Sequence, residues 1–247
     1  MKNKIVELGI SEREADELIK VSYNIEEDYN KLLKKYPIQY LIGYVNFYGY
    51  KIYVNENTLI PRYETEYLVE KTIKYCKELF KDKRIKILDL CTGSGCIGIS
   101  LEKNLNSIVD VSDISKEALE VANKNKIENN SSINIINSDL FNNIDDKYDV
   151  IISNPPYIGE NEEIMESVKL YEPNIALFAG EDGLLIYKKI IDQIDKHLNN
   201  KFLIAFEIGY LQANSIKEII NNKFKNVKVI IEKDLSEKDR YLFVINE

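Results

Sequence analysis

The apolar run Ile85-Lys-Ile-Leu-Asp-Leu90 passes directly into Cys91-Thr-Gly-Ser-Gly-Cys-Ile-Gly98. A short run rich in branched residues, ending at closely spaced glycines, predicts a strand that turns sharply into a helix. Gly93 and Gly95 permit the tight turn and let a ligand approach the backbone. Gly98 permits a helix to lie close on a sheet. The pattern then repeats. Strands are expected at 85–90, 108–113, 133–137, 148–153, 201–206, 227–231 and 241–245. Between them, helices are expected from the glycines to about Leu105, then over Ser115–Ile127, Leu184–His197 and Gln212–Phe224. Strands separated by helical patterns predict an α/β fold with a doubly wound, mostly parallel sheet, Rossmann-like in plan. Such sheets bind ligands at the carboxyl ends of their strands, which singles out the loops after Leu90, Asp113, Asn137 and Ser153.

The region ahead of the sheet reads differently. Residues 1–36 predict a short helical region, with a capping box at Ser11-Glu-Arg-Glu14 and a second helix over Ile25–Lys35 that Pro37 ends. Residues 37–80 predict a small hairpin near Val45–Val54, then a connecting helix near Thr65–Phe80. Residues 81–247 form the Rossmann-like domain. Domains are thus expected at 1–36, 37–80 and 81–247.

Gly93-x-Gly95-x-x-Gly98, placed between a strand and a helix, points to a nucleotide or nucleoside. Asp113 lies at the end of the next strand, where a carboxylate accepts from two ribose hydroxyls. This pattern alone does not separate NAD from S-adenosylmethionine. The form Asp89-x-x-Thr92-Gly93-Ser94-Gly95 favours the latter. Asp89 either organises the loop or meets the methionine amino group. Asp139, in Ser138-Asp-Leu-Phe141, either receives the adenine amino group, with Leu140 and Phe141 against the ring, or caps a solvated turn.

The most informative segment is Asn154-Pro155-Pro156-Tyr157, directly after the fourth strand. Two prolines stiffen the backbone and remove two donors. Carbonyls are then free to accept, Asn154 brings another acceptor, and Tyr157 can cover a flat group. That set suits a planar –NH₂ conjugated to a π-system: an amide, an adenine or a guanine. A delocalised nitrogen lone pair is a poor nucleophile, and two acceptors on its hydrogens aim it and stabilise the charge that develops.

These segments resemble the release factor glutamine methyltransferases, the HemK/PrmC family of class I S-adenosylmethionine-dependent methyltransferases. The resemblance runs from Pro37 to the C-terminus. It includes Pro37–Gly43, Leu59–Glu66, Asp89–Gly95, Asp113, Ser138-Asp139, Ser153–Tyr157, Tyr171-Glu-Pro173, Ala179–Gly183 and Glu207-Ile-Gly209. It implies methyl transfer from S-adenosylmethionine to the glutamine of the Gly-Gly-Gln motif in class I peptide-chain release factors. It places the donor on Cys91–Gly95, Asp113 and Asn154, joined on the reading above by Asp89, Asp139 and Leu140. It places the glutamine on Asn154, Pro155, Pro156 and Tyr157, with Asn154, Pro155 and Tyr157 as the catalytic set. The chain departs from the family at four positions: Cys91 and Glu237 replace Gly, Leu140 replaces a Trp of some relatives, and Tyr63 replaces Pro. Thirty-six residues precede Pro37, about half of the family's helical domain.

Composition narrows the alternatives. The formal charge of −8 argues against direct nucleic-acid binding, so methylation of an adenine or guanine amino group stands as the second reading. An NAD-dependent oxidoreductase and a non-catalytic module on the same scaffold rank below it. One histidine and three cysteines without CxxC spacing predict no metal site and no disulfide framework. No apolar run spans a membrane and no signal peptide is evident, so a cytoplasmic protein with no membrane partner is expected.

Overall fold

The computed structural model describes the whole chain, residues 1–247. Four short helices come first: α1 (Lys2–Val6), α2 (Glu12–Val21), α3 (Ile25–Leu33) and α4 (Ile38–Ile42). The predicted capping box is formed, with Ser11 accepting from the Glu14 N–H. These helices are held together by Ile5, Ala15, Leu18, Leu32 and Ile38, a small core of their own. Helix α3 stops at Leu33, short of the expected Lys35 and four residues before Pro37, where Lys35 turns to φ +64°; Pro37 instead opens α4, which the sequence pattern does not show. A proline fits there because the first turn of a helix leaves its N–H groups unpaired.

The hairpin pairs β1 (Tyr44–Phe47) with β2 (Tyr50–Tyr53), and helix α5 (Tyr63–Phe80) follows. Tyr63 is the first residue of α5, the position where proline is favoured in helices. The remaining elements are β3 (Ile85–Leu90), α6 (Cys96–Asn104), β4 (Ser107–Asp113), α7 (Lys116–Glu128), β5 (Asn134–Asn137), β6 (Tyr148–Ser153), α8 (Glu166–Tyr171), α9 (Leu185–Gln193), β7 (Leu198–Glu207), α10 (Ala213–Lys223), β8 (Lys228–Lys233) and β9 (Asp239–Asn246). Helix α8 and a 3-10 turn at Asn174–Ala176 were not foreseen.

The seven large-sheet strands lie in the order β5-β4-β3-β6-β7-β9-β8. All neighbours are parallel except that β9 runs antiparallel to both β7 and β8. The alternation along each strand explains why the sheet is covered on both faces. On one face Ile87, Val109, Val111, Val150, Ile152, Leu203 and Ala205 meet Leu68, Val69 and Ile73 of α5 and Ile97 and Leu101 of α6. On the other, Leu88, Leu90, Ile151, Ile204 and Phe206 meet Tyr187, Ile190 and Ile191 of α9 and Ile216 and Ile220 of α10. Successive side chains on a strand point to opposite faces, so each strand needs apolar residues at nearly every position.

Strand order reverses at β3, between β4 and β6. The carboxyl ends of these strands therefore open a crevice into which the glycine turn, Asp113 and Asn154 all project.

Candidate active site

A cavity of about 310 Å³ lies over this crevice, within the size range of small-molecule sites. Its walls include Cys91–Ser94 after β3, Asp113 at the end of β4, Asp139 and Leu140 after β5, and Asn154 and Pro156 after β6. Thr65 and Arg62, from the start of α5, close it on the hairpin side.

The glycine turn is held from behind and from the side. Asp89 is fully buried, and its Oδ2 accepts from the Thr92 hydroxyl and, at 2.9 Å, from the Gly98 N–H. It does not line the cavity, and both of these hydrogen bonds lie within the loop and the helix that follows it. Its Oδ1 is buried without a partner. Burial pushes this carboxyl up to about 7, against the two donors that favour its charged form. Asp113 takes the Gly93 N–H at 2.9 Å on one oxygen and the Ser115 N–H at 3.0 Å on the other. Each carboxylate oxygen keeps a lone pair beyond those bonds. Burial raises the Asp113 pKa as well, opposed by these backbone donors. Asn125 of α7 ties the turn to the hairpin. Its Nδ2 donates to the Ser94 and Tyr53 carbonyls, both at 2.9 Å, and its Oδ1 accepts from the Tyr53 N–H.

Cys91 adopts φ +62°, and Glu237 in the β8–β9 turn adopts φ +58°. Both are left-handed positions that glycine fills without strain, which accounts for the glycines the resemblance leads one to expect there. Gly95 has φ +81° and supports the turn without lining the cavity.

After β5, Asp139 is exposed at the cavity wall, and Ser138, not Asp139, caps the turn: its Oγ accepts from the Asn143 N–H at 3.0 Å. Leu140 lines the cavity with φ +47°. Phe141 is a correction. It is buried on the far side of this loop and stacks on His197, with ring centroids 4.5 Å apart, so it offers no face to a ligand. His197 sits in a 3-10 turn after α9 rather than in the helix itself.

The Asn154–Tyr157 segment is braced by long-range contacts. The Asn154 Nδ2 donates to Thr65 Oγ1 at 3.3 Å. Thr65 donates to Glu207 Oε2 at 2.7 Å, and Tyr157 donates to Glu207 Oε1 at 3.3 Å. Burial raises the Glu207 pKa, against the Thr65 donor, the Arg240 charge and the Tyr157 hydroxyl. The Tyr157 carbonyl accepts from Gln212 Nε2 at 2.8 Å. A Cβ on Gly183, at φ +68°, would stand 2.2 Å from that same carbonyl, so the Ala179–Gly183 segment presses on the tetrapeptide where only glycine fits. The carbonyls of Pro155 and Pro156 accept no hydrogen bond from the protein. Pro155 is buried, and neither it nor the half-buried Tyr157 lines the main cavity.

Two polar residues acquired roles that the sequence reading left open or did not see. Arg62 pairs with Glu172, whose other oxygen accepts from the Ile60 N–H at 3.1 Å, so this arginine serves an internal ion pair. Thr65 received no role in the sequence reading, because its partner Glu207 lies 142 residues away.

The Methyltransferase small domain model matches residues 71–170. A release factor glutamine methyltransferase of Lactococcus lactis subsp. lactis is 45% identical over 217 residues, covering 87% of this chain and 79% of the relative. The chain belongs to the release factor glutamine methyltransferase family. A member from Flavobacterium psychrophilum is 42% identical over 221 residues, covering 87% of this chain and 77% of its own length. Among solved structures, a methyltransferase from Pyrococcus furiosus superposes with a TM-score of 0.61 at 22% identity, covering 88% of this chain and 94% of its own. A chain of an E. cuniculi complex responsible for the methylation of a translation termination factor superposes with a TM-score of 0.56 at 18% identity, covering 77% of this chain and 99% of its own. At these identities the two structures establish the shared fold.

Proposed function

We propose that this protein transfers a methyl group from S-adenosylmethionine to the side-chain amide nitrogen of the glutamine in the Gly-Gly-Gln motif of class I release factors. The observation that carries the reading is that Asn154 and the glycine turn share one cavity wall, with Asp113 beside them. A nucleoside-bearing donor and a planar amide therefore have neighbouring places.

The residues present fit such a donor. A Cβ on Gly93 would meet nothing within 4 Å, so open space lies over the turn. Asp113 has acceptor capacity for a ribose diol, the exposed Asp139 on the cavity wall would accept from the adenine amino group, and Leu140 would offer an apolar face. When bound, the donor supplies an electrophilic methyl on a sulfonium. Asn154 and the Pro155 carbonyl hold the two hydrogens of the glutamine amide, and Tyr157 limits its plane. These acceptors restrain a nitrogen whose lone pair is otherwise delocalised, and they stabilise the positive charge it gains. The proton leaves afterwards to water. No cluster of three or more His, Cys, Asp or Glu side chains is placed to hold a metal ion. No helix is long and apolar enough to cross a membrane. Release factors are translation proteins, so the cytoplasm is where we place the reaction.

Incubating unmethylated release factor, DNA and RNA separately with the protein and labelled donor tests this reading. Label on the release factor alone supports it. Label on nucleic acid would move the assignment to an adenine or guanine amino group.

A further inference from the structure

The Asn154 carboxamide can face the cavity in two ways, as an acceptor through Oδ1 or as a donor through Nδ2. Only the first can hold an amide –NH₂. Something must choose between them, because the two orientations have nearly the same shape.

We infer that Thr65 and Glu207 form a relay that fixes this choice, making both of them positioning residues for the acceptor glutamine. The inference rests on Asn154 gripping the substrate amide as proposed above.

The direction of each bond follows from the next. Glu207 is buried, with 1% of its surface exposed, and receives Thr65 on one oxygen and Tyr157 on the other. A carboxylate has only acceptors, so the Thr65 hydroxyl must donate to it. A hydroxyl has a single hydrogen. With that hydrogen committed, Thr65 Oγ1 can only accept from Asn154. Asn154 therefore turns Nδ2 toward Thr65, 3.3 Å away, and its Oδ1 is left without a protein partner on the cavity side. The same carboxylate takes the Tyr157 hydroxyl, so one group orients both ends of the tetrapeptide. Thr65 is itself 3% exposed, and its hydrogen is directed inward to Glu207 Oε2 at 2.7 Å. Burial raises the Glu207 pKa, and the Thr65 and Tyr157 donors together with the Arg240 charge oppose it by favouring the carboxylate form.

The geometry also explains three separated motifs. Thr65 lies in the segment after Ile60-Pro-Arg62, Asn154 and Tyr157 in the tetrapeptide, and Glu207 in Glu-Ile-Gly209. Residues 65, 154 and 207 meet because the start of α5 lies against the end of β7 and the loop that follows β6.

The test compares Thr65→Val, Thr65→Ser and Glu207→Gln with the parent protein. Valine keeps the shape and removes the relay, serine keeps the hydroxyl, and glutamine can present a donor as well as an acceptor. Two readouts are taken. One is kcat and KM for release factor methylation. The other is the ratio of dissociation constants for release factor and for a release factor carrying Glu in place of the Gly-Gly-Gln glutamine, measured by calorimetry without donor. A free Asn154 amide would present Nδ2 and donate to the carboxylate.

The relay predicts that Thr65→Val and Glu207→Gln lower kcat about tenfold, the scale of one hydrogen bond. It predicts that the preference for Gln over Glu falls by a similar factor, and that Thr65→Ser stays within about threefold of the parent on both measures. Unchanged kcat in Thr65→Val overturns the relay. So does a fall in kcat with an unchanged Gln-to-Glu ratio, because a merely structural role would leave that preference intact. If Glu207→Gln does not fold, the Val and Ser pair at Thr65 decides alone. A parent protein that methylates no release factor refutes the proposed function instead, which separates the two failures.

Discussion

Gly98→Ala is the substitution whose consequences the packing dictates most directly. Gly98 lies in the first turn of α6, against β4. A Cβ there would stand 2.3 Å from Val111 Cγ1, where ordinary contact begins near 3.4 Å, and 3.2 Å from Asp89 Oδ2. Val111 is fully buried and β-branched, so it has little rotamer freedom to retreat. The helix must move outward instead. Overpacking of this kind costs about 1–3 kcal/mol. Alanine recovers up to about 1 kcal/mol of helix propensity relative to glycine. With the full offset the net loss is about 0–2 kcal/mol, or up to roughly 8 °C in Tm for a chain of this size. Function should suffer as well. The Gly98 N–H holds Asp89, and the start of α6 fixes the turn that Gly93 shares with Asp113. A shift there should weaken S-adenosylmethionine binding roughly tenfold by calorimetry, which is about 1.4 kcal/mol. Adding Val111→Ala makes room, so the double variant should recover most of the donor affinity and show a coupling of about 1 kcal/mol in denaturant unfolding. An unchanged Tm and donor affinity in Gly98→Ala, or strict additivity with Val111→Ala, would refute the close-approach argument.

Other perturbations test other parts of the account. The folded-state pKa of Asp89, about 7, exceeds the ordinary carboxylate value. The folded state therefore binds more protons than the unfolded state between about pH 4 and 7, and stability falls as pH rises through that window. From pH 5.5 to 8 this group alone should remove about 2 kcal/mol, a slope that Asp89→Asn abolishes in urea titrations at the two pH values; parallel slopes would contradict it. At position 91 the left-handed backbone should make Cys91→Gly more stable than Cys91→Ala by about 1 kcal/mol in chemical unfolding, and equal stabilities would argue against strain at that residue. Glu172→Ala leaves the Arg62 guanidinium and the buried Ile60 N–H unpaired, so it should cost roughly 2 kcal/mol by thermal unfolding, whereas a surface ion pair would cost less than about 1.

What could be read in the sequence was whatever depends on local chemistry. The strand-to-turn glycines, the period of the buried strands and the stiff Asn-Pro-Pro-Tyr segment all act within a few residues of themselves. So do the capping box at Ser11 and the acidic residue at the end of β4. Reading failed where a partner lay far away. Phe141 looked available to a ligand because its burial depends on His197, 56 positions later by sequence number. Thr65 looked like an ordinary helix-start residue until Glu207 was seen beside it. Arg62 could not be assigned until Glu172 was placed. Helix α8 is six residues long, too short for a periodic pattern to show. The positive φ at Cys91 and Glu237 could be reached only through the family resemblance, since neither residue type announces a left-handed backbone.

The central claim is chemical: a methyl group arrives on one particular amide nitrogen because Asn154 holds it. The decisive measurement is a peptide-resolved mass spectrum of unmethylated release factor after incubation with S-adenosylmethionine and either the parent protein or Asn154→Ala. The account predicts a single added methyl on the Gly-Gly-Gln glutamine with the parent protein. With Asn154→Ala it predicts that turnover falls at least about a hundredfold, the scale of losing a transition-state acceptor, while donor affinity changes by less than about threefold. No methyl on that glutamine from a parent protein that binds donor, or full methylation by Asn154→Ala, would contradict it.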